Sequence, residues 1–337
     1  MRPGPSHLDT ARAEIIVAEA GHRAAVDYIS RFGKWDARAS VRQRPARRLS
    51  GDRDELAIPF PPELAPVALH ELVAGRGPDT VREVLTHSLY QYLHFTTELE
   101  ELAVIPVVAK ISRNRAGLDL PEAMRADAFK IYTDEAWHAQ FSYDLVRQVE
   151  RSSGIAVRLP ELPSFVERLD AVRASLDPAV RGLEALMFSV VSETLISSIL
   201  ADIPHDARLP KTVRELVRDH AEDEGRHHAY FRQVLHAFWP ALPARERRAV
   251  GPLLPQVILA FLEPDYRAIG TALSATGLAP DEVAQVLAES LPRRRVVDEA
   301  ARSAGSAVRY FREVGALDDP ATAEAFEASG LLLGAAR

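Results

Sequence analysis

Apolar and charged positions recur along most of the chain with the period of helices, and no run alternates apolar with polar residues as a half-buried strand would. From about Leu8 to Phe32, the positions Ile15, Ile16, Val17, Ala20, Ala24, Val26 and Ile29 lie between charged residues, as on an amphipathic packing helix. From Gly33 to Pro78 that pattern gives way to Pro-rich and Arg-rich stretches, including Arg42 to Arg48 and Pro59 to Pro62, which predict irregular structure wrapped around the helices. A long helix is predicted from an N-cap at Asp79 to about Arg115, stopped by Gly117 and kinked at Pro106. Further helices are expected from Pro121 to Val149, over a shorter stretch ending at Leu176, from Pro178 to Ala201, and from Pro210 to Trp239. Val250 to Phe261, Asp281 to Leu291, Val296 to Val314 and Ala321 to Leu333 complete an all-α expectation.

Composition narrows the class. A chain of 337 residues that is 47% hydrophobic can bury a sizeable core, and it reads as one domain over 1–337. The formal charge of -7 and the lack of aromatics interleaved with the Arg42 to Arg48 run predict no nucleic-acid partner. That run reads instead as a solvated or salt-bridged loop. There is no cysteine, so disulfides and thiolate metal sites are excluded, and any metal must sit on His, Asp or Glu. No secretory leader pattern and no membrane-length apolar run is seen, which predicts a cytoplasmic protein without a membrane partner.

The chemistry concentrates in one repeated pattern. Asp-Glu-x-x-His occurs as Asp134/Glu135/His138 and again as Asp223/Glu224/His227, and His220 precedes Glu224 by four residues. At about 3.6 residues per turn, His220, Glu224 and His227 fall in one stripe of a helix. Carboxylates can bridge two cations while imidazoles cap them, an oxygen and nitrogen donor set suited to iron or manganese. In ferritin-like carboxylate bundles two helices each supply Glu-x-x-His and two others each supply one Glu. Glu193 lies in the apolar run Met187 to Leu200 and is the natural choice for one of these. For the other, Glu100 shares its helix stripe with Leu89, Leu93, Thr96, Ala103, Val104, Val107 and Ile111, with Glu101 in reserve. The expected set is Glu100, Glu135, His138, Glu193, His220, Glu224 and His227, in a four-helix core over about 79–239 with further packing helices at both ends. Asp134 and Asp223 are placed to accept ring N–H bonds from histidines on the facing helix.

The remaining histidines and aromatics have plainer readings. His22, His70, His205 and His236 fall outside the stripe, His228 points away from it, and His87 and His94 read as helix-surface residues. Tyr92, Tyr132, Trp137 and Tyr143 read as core aromatics, with Tyr132 one turn before Glu135 and able to approach the metals.

The series Glu, Glu-x-x-His, Glu, His-x-x-x-Glu-x-x-His resembles the AurF-type diiron N-oxygenases, which oxidise an aromatic amine to a nitro group. His220 supplies the third histidine that marks this resemblance, and Trp35 to Val41 and Leu93 to Glu100 add to it. The resemblance implies two iron ions on the seven residues, O2 as cosubstrate, a peroxo-diferric intermediate and an external electron donor. It further implies a small amine substrate oxidised towards hydroxylamine, nitroso or nitro product, a role in secondary metabolite biosynthesis and a homodimer. A diiron hydroxylase or desaturase acting on C–H bonds would use the same donor set, and a ferritin-like iron-binding protein is the reading from another class.

Overall fold

The computed structural model describes residues 27–49 and 58–332, so most of the helix expected from Leu8 to Phe32 lies outside the described residues. Two short helices come first, α1 (Trp35–Arg38) and α2 (Ser40–Gln43), followed by 3-10 turns and α3 (Glu71–Ala74). The long elements are α4 (Pro78–Leu99), a π-helical turn at Glu100–Val104, α5 (Ile105–Ser112), α6 (Glu122–Ser153), α7 (Ser164–Ser175), α8 (Leu183–Leu200) and α9 (Lys211–Ala241). A C-terminal set closes the fold: α10 (Ala244–Val250), α11 (Leu254–Leu262), α12 (Tyr266–Ala275), α13 (Pro280–Ser290), α14 (Arg293–Ser303), α15 (Gly305–Glu313) and α16 (Pro320–Ser329). The structure is an all-α bundle with no strand among the described residues, and none of its described helices is long and apolar enough to cross a membrane.

Four helical stretches form the centre. The α4–α5 stretch packs along α6, α8 packs along α9, and α6 and α9 meet between the two pairs. The sequences explain the arrangement. α6 and α9, of 32 and 31 residues, each carry buried positions along one face and charged residues on the other. α8 is apolar around nearly its whole circumference, as an enclosed helix must be, and buries Met187, Phe188, Val190, Val191 and Leu195. One continuous apolar cluster joins these helices to the C-terminal set.

Several boundaries differ from the sequence expectation, each for a local reason. The long helix begins with Pro78 in its first turn after Gly77, so Asp79 is a first-turn acid and not the N-cap. The discontinuity near Pro106 is a π turn, in which the Ile105 N–H reaches back to the Glu100 carbonyl. A proline, lacking its own N–H, fits directly after such a turn, and π turns recur at functional sites. The helix expected from Pro178 is a 3-10 turn at Pro178–Val180, and α8 starts only at Leu183. Gly182, at φ 103, makes that break in a conformation open to glycine. The Val296 to Val314 stretch is two helices divided at Ala304. α12 was not anticipated. Its sequence is short and interrupted by Gly270, and it is started by the Asp265 carboxylate accepting from the Ala268 N–H at 2.8 Å.

Candidate metal centre

The seven residues come from four places in the core. Glu100 opens the π turn, Glu135 and His138 sit on successive turns of α6, Glu193 lies midway along α8, and His220, Glu224 and His227 line one face of α9. All seven are buried, and the side chains of Glu135, His138, Glu224 and His227 are wholly closed to solvent. Glu101, one residue on, is exposed and takes no part.

Their donor atoms converge in three overlapping groups: Glu100, His138, His220 and Glu224; Glu135, His138, Glu224 and His227; and Glu100, Glu135 and Glu193. Within each group the donor atoms lie within 4.8 Å of one another. His220 Nε2 stands 3.0 Å from Glu224 Oε1, and His227 Nδ1 stands 2.8 Å from Glu135 Oε1. These approaches lack hydrogen-bond alignment. Both oxygens of Glu100, Glu193 and Glu224, Oε1 of Glu135, Nε2 of His220 and Nδ1 of His227 are buried without a hydrogen-bond partner. Unsatisfied buried carboxylate oxygens are expensive, and nearly all buried polar atoms in folded proteins find a partner. A cluster of them aimed at a common centre is what cations would satisfy, and the set of carboxylate oxygens and imidazole nitrogens fits iron or manganese.

The electrostatics lead to the same conclusion. Burial, followed by the charges of neighbouring carboxylates, pushes Glu100 and Glu193 well above the usual carboxylate range. Burial also opposes ionisation of Glu224 and Glu135, but the adjacent His227 outweighs it, with His220 helping at Glu224 and His138 at Glu135, and both carboxyls end below their ordinary value. Burial disfavours the charged form of His138, yet hydrogen bonds to Asp223 and Glu135 push it up to about 10. Burial and the nearby His138 charge lower His220. Without cations, protons must therefore neutralise part of the cluster.

The outer faces of two imidazoles are fixed by a reciprocal pair. His227 Nε2 on α9 lies 3.2 Å from Asp134 Oδ2 on α6, while His138 Nε2 on α6 lies 3.2 Å from Asp223 Oδ2 on α9. Each aspartate is anchored in turn by the entry segment. The Trp35 indole N–H donates to both Asp134 oxygens at 2.9 Å, and the Ser40 backbone N–H donates to Asp223 at 3.2 Å. Arg226 also pairs with Asp223. Phe141 packs against the rings of both His138 and His220, and Phe32 stacks on His227.

Other side chains depart from their sequence reading. Tyr132 is 41% exposed and does not approach the cluster. His87 is not a surface residue: it is 1% exposed, and its ring nitrogens make no hydrogen bond, with Glu83 4.0 Å from Nε2. Tyr92 is more than a core aromatic, because its buried hydroxyl is unpartnered and lies in the fields of Glu224 and Glu100, where burial first and those charges second raise it. The Arg run is salt-bridged as expected, with Arg44 and Arg47 on Asp219, Glu215 and Glu222 of α9. The anchoring roles of Trp35, Ser40 and Arg226 were not legible. Trp35 and Asp134 are 99 residues apart, and nothing in either local sequence names the other.

An all-helical core enclosing a cluster of carboxylates and imidazoles defines a helical-bundle protein with buried donor groups that could hold metal. The family model described as P-aminobenzoate N-oxygenase AurF matches residues 43–315, and the chain belongs to that family, an oxidoreductase family of monooxygenases. A relative from Streptomyces thioluteus, 4-aminobenzoate N-oxygenase, is 27% identical over 232 residues, covering 67% of this chain and 68% of that protein.

Proposed function

We propose that the protein is an O2-dependent, non-haem dinuclear iron N-oxygenase that oxidises the amino group of a small aromatic amine. The observation that carries this reading is the convergence of unpartnered carboxylate oxygens and imidazole nitrogens from Glu100, Glu135, Glu193, His220, Glu224 and His227 in a wholly buried space. His138 completes the set. The groups Glu100, His138, His220 and Glu224, and Glu135, His138, Glu224 and His227, would each offer donors to an ion, and Glu193 converges with Glu100 and Glu135 beside them.

When bound, the iron pair supplies the reduction of O2 that N-oxygenation of an amine requires. The protein residues supply the setting. Asp134 and Asp223 hold the imidazoles of His227 and His138 in one orientation, Phe141 and Phe32 cover the outer faces of the cluster, and the four carboxylates balance cationic charge. Tyr92, two turns before Glu100 on the same helical stretch, offers a hydroxyl free to bond a polar group of the substrate. Further aromatic side chains lie on and around α4: Phe60 packs on Tyr92, and Phe95 packs on Phe165 and Phe261. Such a wall suits an aryl ring.

The test is anaerobic reconstitution with Fe(II), followed by exposure to 18O2 with a panel of arylamines and mass analysis of the products. About two irons per chain, lost in Glu193→Ala, together with label on nitrogen, is the expected result. Label on carbon would replace this reading with a C–H oxidising one. Absence of bound metal in both proteins would overturn the dinuclear centre itself.

A further inference from the structure

The segment 30–38 carries chemistry that neither the core packing nor the donor set uses. Arg31, Lys34 and Arg38 are exposed, and with Arg226 they line a surface cleft of about 370 Å³ that also contains Glu222. Arg31, Lys34 and Arg38 make no ion pair with any described residue. Arg226 is matched by Asp223 and Glu222 by Arg44, so on a chain of net charge -7 Arg31, Lys34 and Arg38 leave this cleft with an excess of positive charge.

Trp35 neighbours the cleft residue Lys34 in the chain and connects this segment to the buried cluster. Trp35, 8% exposed and flanked by the Arg42 guanidinium at 5.1 Å, donates its Nε1–H to Asp134 at 2.9 Å. Asp134 in turn bonds His227 Nε2 at 3.2 Å. Two hydrogen bonds thus join a mostly buried indole, between the exposed Lys34 and Asp36, to an imidazole of the centre. Arg226, a wall of the cleft, pairs with Asp223, the partner of His138. The same patch therefore touches both Asp–His pairs.

Oxidation of an amine to a hydroxylamine by O2 takes up two electrons and two protons and releases water. A reductant must therefore serve a centre whose side chains are closed to solvent. We propose that the cleft docks the acidic face of a small one-electron iron–sulfur carrier protein, and that Trp35, Asp134 and His227 conduct the electrons inward. The proposal rests on the iron-centre reading above. Each encounter oxidises the carrier by one electron and reduces one ferric ion to ferrous. Two encounters reduce the pair, and no bond of Trp35 or Asp134 is made or broken. Charge complementarity selects this partner, since the rest of a net acidic chain would repel it.

The probe is a plant-type [2Fe–2S] ferredoxin with an acidic surface, titrated calorimetrically at low ionic strength against the full chain with and without iron. Binding is expected to weaken with added salt and to fall more than tenfold in R31E/K34E/R38E. The control R293E/R294E/R295E, of the same net charge, should bind like the parent. In Trp35→Phe the ferredoxin affinity should hold, while the rate of ferric reduction inside the complex falls at least tenfold and reduction by dithionite does not change. No binding to the parent, or equal losses in cleft and control variants, overturns the docking surface. An unchanged rate within the complex, or loss of iron from Trp35→Phe, overturns the route and leaves Trp35 as an anchor for Asp134. Failure of the iron-centre reading would show separately, because docking is also measured on metal-free protein.

Discussion

Asp134 on α6 accepts a hydrogen bond at 3.2 Å from Nε2 of His227 on α9, and this bond sets which ring nitrogen of His227 faces the cluster. With the outer nitrogen committed, Nδ1 points inward, where it stands 2.8 Å from Glu135 and 3.6 Å from Glu193. The mirrored bond from His138 to Asp223 does the same from the opposite helix. Weakening either acceptor should loosen metal without unfolding the core. Asp134→Asn and Asp223→Asn are each expected to lower iron affinity by about 10- to 100-fold, read by chelator competition, with helical content unchanged by circular dichroism. An affinity equal to the parent's would show that these aspartates do not orient ligands.

Glu193 sits without a hydrogen-bond partner in a helix that is apolar on nearly every side, so metal-free protein carries a cost there that a bound metal would relieve. Glu193→Leu should raise the melting temperature of the metal-free protein, by removing a buried polar group worth roughly 1 to 3 kcal/mol. Ferrous or manganous ion at about 100 times its Kd should stabilise the parent by about 2.7 kcal/mol. The same addition should leave the Leu variant unmoved. Differential scanning calorimetry under nitrogen checks both, and a metal-dependent shift in Glu193→Leu would remove Glu193 from the centre.

His87 is buried on α4 with neither ring nitrogen hydrogen-bonded and Glu83 only at 4.0 Å, and burial, with a smaller push from Arg158, depresses its affinity for a proton. The unfolded chain therefore binds the proton more readily than the folded one. The stabilising effect of keeping His87 neutral is complete above the ordinary histidine value near 6.5 and is lost as pH falls through the lower folded value. His87→Leu should flatten the decline in urea stability as pH falls below about 6.5, relative to the parent. Parallel pH profiles for the two proteins would show that His87 does not contribute.

Arg47 binds Asp219 in a forked pair at 2.7 and 3.0 Å and Glu215 at 2.9 Å, which fastens the stretch before residue 50 to α9. Arg47→Ala leaves Asp219 mostly buried with only the more distant Arg44, at 3.5 Å. A stability loss of about 1 to 2 kcal/mol is expected in chemical denaturation, partly restored by Arg47→Ala/Asp219→Ala. A loss below about 0.5 kcal/mol would place this pair with ordinary surface ion pairs.

Helix periodicity is a local property, and for that reason the sequence alone determined much of this protein. The i, i+3 and i, i+4 spacings put Glu135 with His138, and His220 with Glu224 and His227, on single helix faces before any packing is known. The apolar run around Glu193 and the stripe around Glu100 likewise announced buried carboxylates, and the structure brings all seven side chains together. What tertiary structure alone decided is how those faces meet. The crossed bonds between Asp134 and His227 and between Asp223 and His138 join helices across 93 and 85 residues, and the Trp35 anchor spans 99. The π turn at Glu100, the glycine break at Gly182 and the burial of His87 depended on packing as well. Side chains so far apart in sequence become partners only when helices interlock in one register, and that register is set by the packing of whole helix faces rather than by any local pattern.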